Sequence, residues 1–151
     1  MDYNLPIVKR VITGHNARAQ STPIIFDDIV MESFIPGSDT KLGRVWTTKE
    51  TPANNDDQKT DLKEFVPERL GLVQPNGSQI CILDTPPGWR SSIHRTSSID
   101  YIILVSGAIT LLLDTDDHSS SPDVGTTISV PGSIIVQRGT RHMWENRSKA
   151  E

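Results

Sequence analysis

Four side chains in the second half of the chain combine reactive residue types with spacings that let them meet. His94, Thr96 and Asp100 lie in "SIHRTSSIDYIILVSG" (92–107), and His142 lies in "GTRHMWEN" (139–146). The flanking residues are β-branched and apolar, so these are strand-like surroundings in which an unpartnered polar group costs about 1–3 kcal/mol. A chain that keeps two imidazoles and a carboxylate there gains something in return. Neutral imidazole and carboxylate are ligands for Zn²⁺, Fe²⁺, Mn²⁺ or Ni²⁺, and two histidines with one carboxylate leave coordination positions open for water and substrate. Thr96 is a poor ligand, so such a metal would be weakly held. Without a metal, the same residues form an acid/base set in which Asp100 orients His94 while His142 acts from the opposite wall. Both readings use the same atoms.

The elements that must position these groups are strands. A period of two puts His94 and Thr96 on one face, lets Asp100, Ile102 and Leu104 share the inward face of the next strand, and pairs His142 with Trp144. Arg90 and Gln137 are candidate polar groups of the same pocket, with a solvated position the equal alternative for Arg90. From Ser78 onward, "SQICILD" (78–84), "YIILVSG" (101–107), "AITLLLD" (108–114), "TTISV" (126–130) and "SIIVQRG" (133–139) are β-branched runs divided by Pro, Gly, Asp and Ser. That rhythm belongs to a sandwich or barrel. Earlier, "IVKRVIT" (7–13) and "GRVWTT" (43–48) read as strands, "GHN" as a turn containing His15, and "STPIIFDDIVMESFIP" as one or two strands punctuated by Pro23 and Pro36. The polar run "KETPANNDDQKTD" (49–61) reads as a loop or lid, "DLKEFVPERLG" as a segment with room for one helical turn, and "TDDHSSSPD" (115–123) as a hairpin tip with a solvated His118.

Composition bounds the rest. The 151 residues are enough for one domain, in which 1–77 supply N-terminal strands and the polar loop while 78–151 form the core. The net charge of -4, with no cluster of lysine or arginine, argues against nucleic acid or an anionic membrane as partner and leaves a small molecule. The single Cys81 cannot form an internal disulfide and reads as a packed strand residue, and "MDYNLPIVKR" has no apolar signal run. A reducing, cytoplasmic setting is expected.

The motif spacings carry a resemblance. Gly88, five residues, His94-Arg95-Thr96, three residues, Asp100, six residues and Gly107 follow the spacing of the first motif of the cupin superfamily. "PGSIIVQRGTRHMWEN" (131–146), with Gly132, Gly139, His142 and Asn146, is similar to the second. The resemblance covers residues 78–146 and is to small single-domain cupins of bacterial and fungal biosynthetic or degradative pathways. Thr96 stands where the motif has its second histidine, Asp100 where it has glutamate, and "VQRG" lacks the usual proline and is one residue shorter.

The resemblance implies an all-β double-stranded β-helix, a jelly-roll barrel with an N-terminal strand extension, and a site on His94, Asp100 and His142 as catalytic groups or metal ligands. Thr96, Arg90, Gln137, Ile102, Leu104 and Trp144 are then the substrate-binding residues, with one divalent metal or none. Added strands that cover sheet edges imply a homodimer. The expected activity is a lyase-type dehydration or decarboxylation of a small organic acid or polyketide-like metabolite. A metal-dependent dioxygenase and a non-catalytic ligand-binding cupin are the alternatives.

Overall fold

The computed structural model describes residues 6–56, 60–61, 72–114 and 124–149. The helical turn expected near residue 65 and the hairpin tip at 115–123 lie outside them. The regular structure of the described residues consists of strands, with no helix among them, and every pairing is antiparallel. Among these residues no helix is long and apolar enough to cross a membrane. The chain divides into two compact units, Met1–Asp84 and Thr85–Glu151. The boundary follows the "SQICILD" strand instead of preceding it, because that strand hydrogen-bonds to a strand of the N-terminal half.

In the N-terminal unit, β1 (Lys9–His15) pairs with β2 (Ser21–Asp28), and β4 (Lys41–Thr48) lies between β3 (Glu32–Ser33) and β5 (Ser78–Asp84). Pro23, expected to interrupt, sits inside β2. The register slips between Ile12 and Thr13 opposite it, and an irregularity of this kind is where a strand tolerates a residue that cannot donate a ladder hydrogen bond. His15 ends β1, and the turn follows it at Asn16, whose side-chain oxygen accepts from the Arg18 and Gln20 amides. A second slip lies between Arg44 and Trp46 of β4, which leaves Val45 without a partner in β5.

Arg10 anchors this unit. Its guanidinium, 3% exposed, makes paired hydrogen bonds to Asp27 (2.8 and 2.7 Å) and to Asp61 (2.9 and 2.7 Å). Its Nη1 also donates to the carbonyl of Val45, the bulged residue (3.1 Å). The polar run expected to be a loop is thus tied down at Asp61.

In the C-terminal unit, β6 (Asp100–Ile103) pairs with β9 (Ile134–Gln137), and β7 (Ile109–Leu113) lies between β8 (Val124–Ile128) and β10 (His142–Glu145). Leu112 and Met143, opposite each other in β7 and β10, are buried apolar residues. Thr110 is also buried, and its hydroxyl meets that of Thr127 across the ladder at 2.9 Å. On β6 the expected alternation appears: Asp100 and Ile102 are half-buried, while Tyr101 and Ile103 face outward beside Val136 and Ile134. Gly88 and Gly107, which bracket the first motif, both have φ of 74°, a left-handed conformation that side-chain-bearing residues adopt at a cost.

Candidate functional site

The two histidines are joined by the backbone. Segment 88–94 runs antiparallel to β10 as a broken ladder: Gly88 and Trp89 exchange hydrogen bonds with Asn146, and the Ser91 amide donates to the Trp144 carbonyl, each at 2.9 Å. The ladder ends where His94 and His142 each donate an amide to the other's carbonyl, again at 2.9 Å. Residues opposed in this way project their side chains to the same face of a sheet. The two imidazole centroids are accordingly 4.4 Å apart, with their planes inclined at 54°.

Each ring is also fixed in its tautomer. His94 Nδ1 lies 2.8 Å from the carbonyl oxygen of Ser92, and His142 Nδ1 lies 3.0 Å from that of Thr140. A carbonyl can only accept, so in both rings Nδ1 carries the proton and the neutral ring presents a lone pair at Nε2. Among the described residues neither Nε2 has a hydrogen-bond partner. The environments differ: His142 is buried at 2% exposure, whereas His94 is exposed. Burial pushes the His142 pKa below its ordinary 6.5; the hydrogen bond to Thr140 and the charge of Asp100 oppose that shift, and His94 adds to it. His142 is therefore neutral at neutral pH.

A turn holds His142 in place. The Gln137 side chain, 2% exposed, donates from Nε2 to the Arg138 carbonyl and to the Thr140 hydroxyl, both at 2.6 Å. Thr140 in turn supplies the carbonyl that pins the ring. Arg141 forms an ion pair of 2.9 Å with Asp114, whose side chain is wholly buried at the end of β7, and this fixes the start of β10. Neither the Ser92 and Thr140 carbonyls nor the Arg141–Asp114 pair was expected from the sequence. Backbone acceptors leave no trace in residue type, whereas an aspartate closing the apolar run "AITLLLD" was a readable signal.

The other expected site residues divide. Thr96 turns its hydroxyl toward Asp100 at 3.4 Å, and Asp100 is close enough for its charge to act on His142. Trp144 packs edge-on against His142, with centroids 5.9 Å apart. Ile102 continues the half-buried face of Asp100, and Leu104 extends it just beyond β6, held by hydrogen bonds to Ser133 and Gly132. Gln137 is opposite Asp100, but its amide is spent on the turn. Arg90 is not brought to the pair: it is opposite Glu145 and reaches Met143 Sδ at 3.3 Å, on the other face of β10 from His142.

These donors do not amount to a three-ligand metal centre. Among the described residues no group of three His, Cys, Asp or Glu side chains is arranged to hold an ion. What the arrangement supplies by itself is proton transfer, from one buried neutral imidazole and one in contact with solvent.

No family model matches the chain. It is 34% identical over 141 residues to the phomopsin biosynthesis cluster protein D of Diaporthe leptostromiformis, covering 92% of this chain and 70% of that protein. It is 31% identical over 137 residues to the cupin-domain-containing oxidoreductase virC of Hypocrea virens, covering 91% and 66% of the two. To the cupin-domain-containing oxidoreductase srdD of Neurospora crassa it is 30% identical over 139 residues, covering 92% and 66%. With matches that run through nearly the whole chain, and with both histidine-bearing segments joined backbone to backbone in an all-β structure, the chain belongs to the cupins.

Proposed function

We propose that this cupin is an enzyme of small-molecule biosynthesis that moves a proton on a small organic acid or polyketide-like metabolite, with loss of water or carbon dioxide. The observation that carries the reading is the pair of pinned tautomers, with two Nε2 atoms aimed from rings 4.4 Å apart. A lowered pKa keeps His142 a base at neutral pH, which is the state that proton abstraction requires. In a dehydration, His142 Nε2 takes the proton from a carbon next to a carbonyl, and the C–H electron pair becomes a C=C bond. The C–O bond to the β-hydroxyl breaks as His94, protonated from solvent, gives that oxygen its proton, so water leaves. Asp100 stabilises the imidazolium formed on His142. The biosynthesis cluster names of the relatives support the metabolic setting.

The test is exchange and turnover in D₂O with simple β-hydroxy and β-keto acids, followed by NMR. The expected result is deuterium entering the carbon next to the carbonyl with wild type and not with His142→Gln. Equal exchange in both proteins would refute the role of His142.

A second reading is oxidation of the metabolite, favoured by relatives named oxidoreductases. It requires a redox partner, and substrate-dependent oxygen consumption together with bound iron in purified protein would select it over the lyase. Retained ligand binding with no turnover by any of these assays would select a binding protein.

A further inference from the structure

In the N-terminal unit, Arg44 is a cation that makes no ion pair among the described residues. Arg44 lies in the middle of β4, opposite Cys81 of β5, and Thr47 lies opposite Gln79. Gln79 Nε2 donates to Cys81 Sγ at 3.1 Å, so those two side chains share a face, and their partners across the ladder share it with them. By simple alternation Arg44 and Thr47 would point to opposite faces. The bulge at Val45 brings them to one, and Arg10 holds that bulge by donating to the Val45 carbonyl. The result is a patch of guanidinium, hydroxyl, amide and thiol on one side of two paired strands.

Within this patch, Arg44 Nε and Thr47 Oγ1 are sealed from solvent without a hydrogen-bond partner, and Thr47 is 0% exposed. Arg44 is half-buried as a residue, and its two terminal nitrogens are neither sealed nor bonded among the described residues. A guanidinium presents a planar fork that matches a carboxylate in two parallel hydrogen bonds. The described residues that share its face, Thr47, Gln79 and Cys81, are neutral, and burial raises the Cys81 pKa so that it stays a thiol. One positive charge among neutral groups balances a monoanion and leaves a phosphate dianion uncompensated.

We infer that Arg44 is a binding site for the carboxylate of a small organic acid, oriented by the Val45 bulge over a polar floor of Thr47, Gln79 and Cys81. The site goes beyond the proton-transfer reading and does not depend on it. The test is calorimetry and thermal melting of the full chain with crotonate and benzoate, using crotonamide and benzamide as neutral isosteres. The carboxylates are expected to bind and raise the melting temperature, and the amides are not. Arg44→Gln should weaken binding roughly a hundredfold, and Arg44→Lys, which keeps the charge and loses the fork, roughly tenfold. His142→Ala should bind as wild type does. The inference is overturned if neither carboxylate binds, if the amides bind equally well, or if Arg44→Gln binds like wild type. It is also overturned if binding disappears in His142→Ala and survives in both Arg44 variants, since the carboxylate would then be held at the histidine pair. The lysine variant keeps the experiment decisive if the glutamine variant fails to fold.

Discussion

Arg10 and the His94–His142 pair are both polar centres built into strands, and they are finished differently. Every direction in which the Arg10 guanidinium can donate is answered: two carboxylates take it in forks and a bulge carbonyl takes a further bond. The imidazoles are answered on one side only, at Nδ1, and their Nε2 atoms face outward from the protein's own hydrogen-bond network. A saturated group holds the chain together and has nothing left to offer a ligand. A half-saturated group is oriented and still reactive, which is the condition of a catalytic base.

Breaking the saturated centre should have the largest effect. Arg10→Met removes the guanidinium that the partly buried Asp27 and Asp61 both hold, and should cost about 3 kcal/mol of stability in a urea titration. Replacing all three residues by apolar ones should recover most of that loss, because the two buried carboxylates go with the arginine that served them. If Arg10→Met alone is neutral, the clamp is decoration and the comparison fails.

Breaking the open centre should change rate before stability. His142→Gln should lower turnover about a hundredfold or more in the deuterium assay, while the urea midpoint moves little. A fall in stability as large as that of Arg10→Met would mean that His142 is structural too.

The pH dependence sharpens the contrast. His142 titrates below 6.5 in the folded chain, so on acidification the unfolded chain takes up the proton first. The contribution of His142 to stability is therefore constant above about pH 6.5 and declines as the pH falls from there toward the lower folded value. Activity should fall on the same side, with an acid limb below pH 6.5 that disappears in His142→Gln. An acid limb above 6.5 would show that another group controls the rate.

The smallest effect belongs to Thr96→Val. It removes one long hydrogen bond to Asp100, and should change stability by about 0.5 kcal/mol and turnover by less than tenfold.

Much of this was readable from residue order. The strands from Ser78 onward alternate with β-branched residues and end at Gly, Pro or Asp, so local sequence and global fold agree there. Motif spacing brought His94 and His142 to one site but set them on opposite walls; the backbone bridge between them puts both rings on one face instead. Three features were not readable, each for a physical reason. The tautomers are decided by carbonyls, which every residue possesses. The Arg10 clamp joins residues distant along the chain, and a polar run has the same composition whether tethered or free. Arg44 and Thr47 share a face only because of a bulge, and strand parity applied to "GRVWTT" separates them. Arg90 differs again: its residue type suited the pocket and solvent equally, and its position opposite Glu145 takes it to the face of β10 away from His142.

The broken ladder between segment 88–94 and β10 has a consequence for the making of the protein. On a ribosome, His94 emerges well before its partner, and no geometry holds it until β10 has been synthesised and has found its place between that segment and β7. The reactive pair therefore cannot exist on a nascent chain that has not reached Asn146, whose backbone and side chain fasten the far end of the ladder to Gly88, Trp89 and Thr85. Such long-range closure is slow relative to local hairpins. The strands that depend on it least, β7 with β8, can form while the histidines are still apart, and the two rings meet only when translation has delivered the last strand of the site.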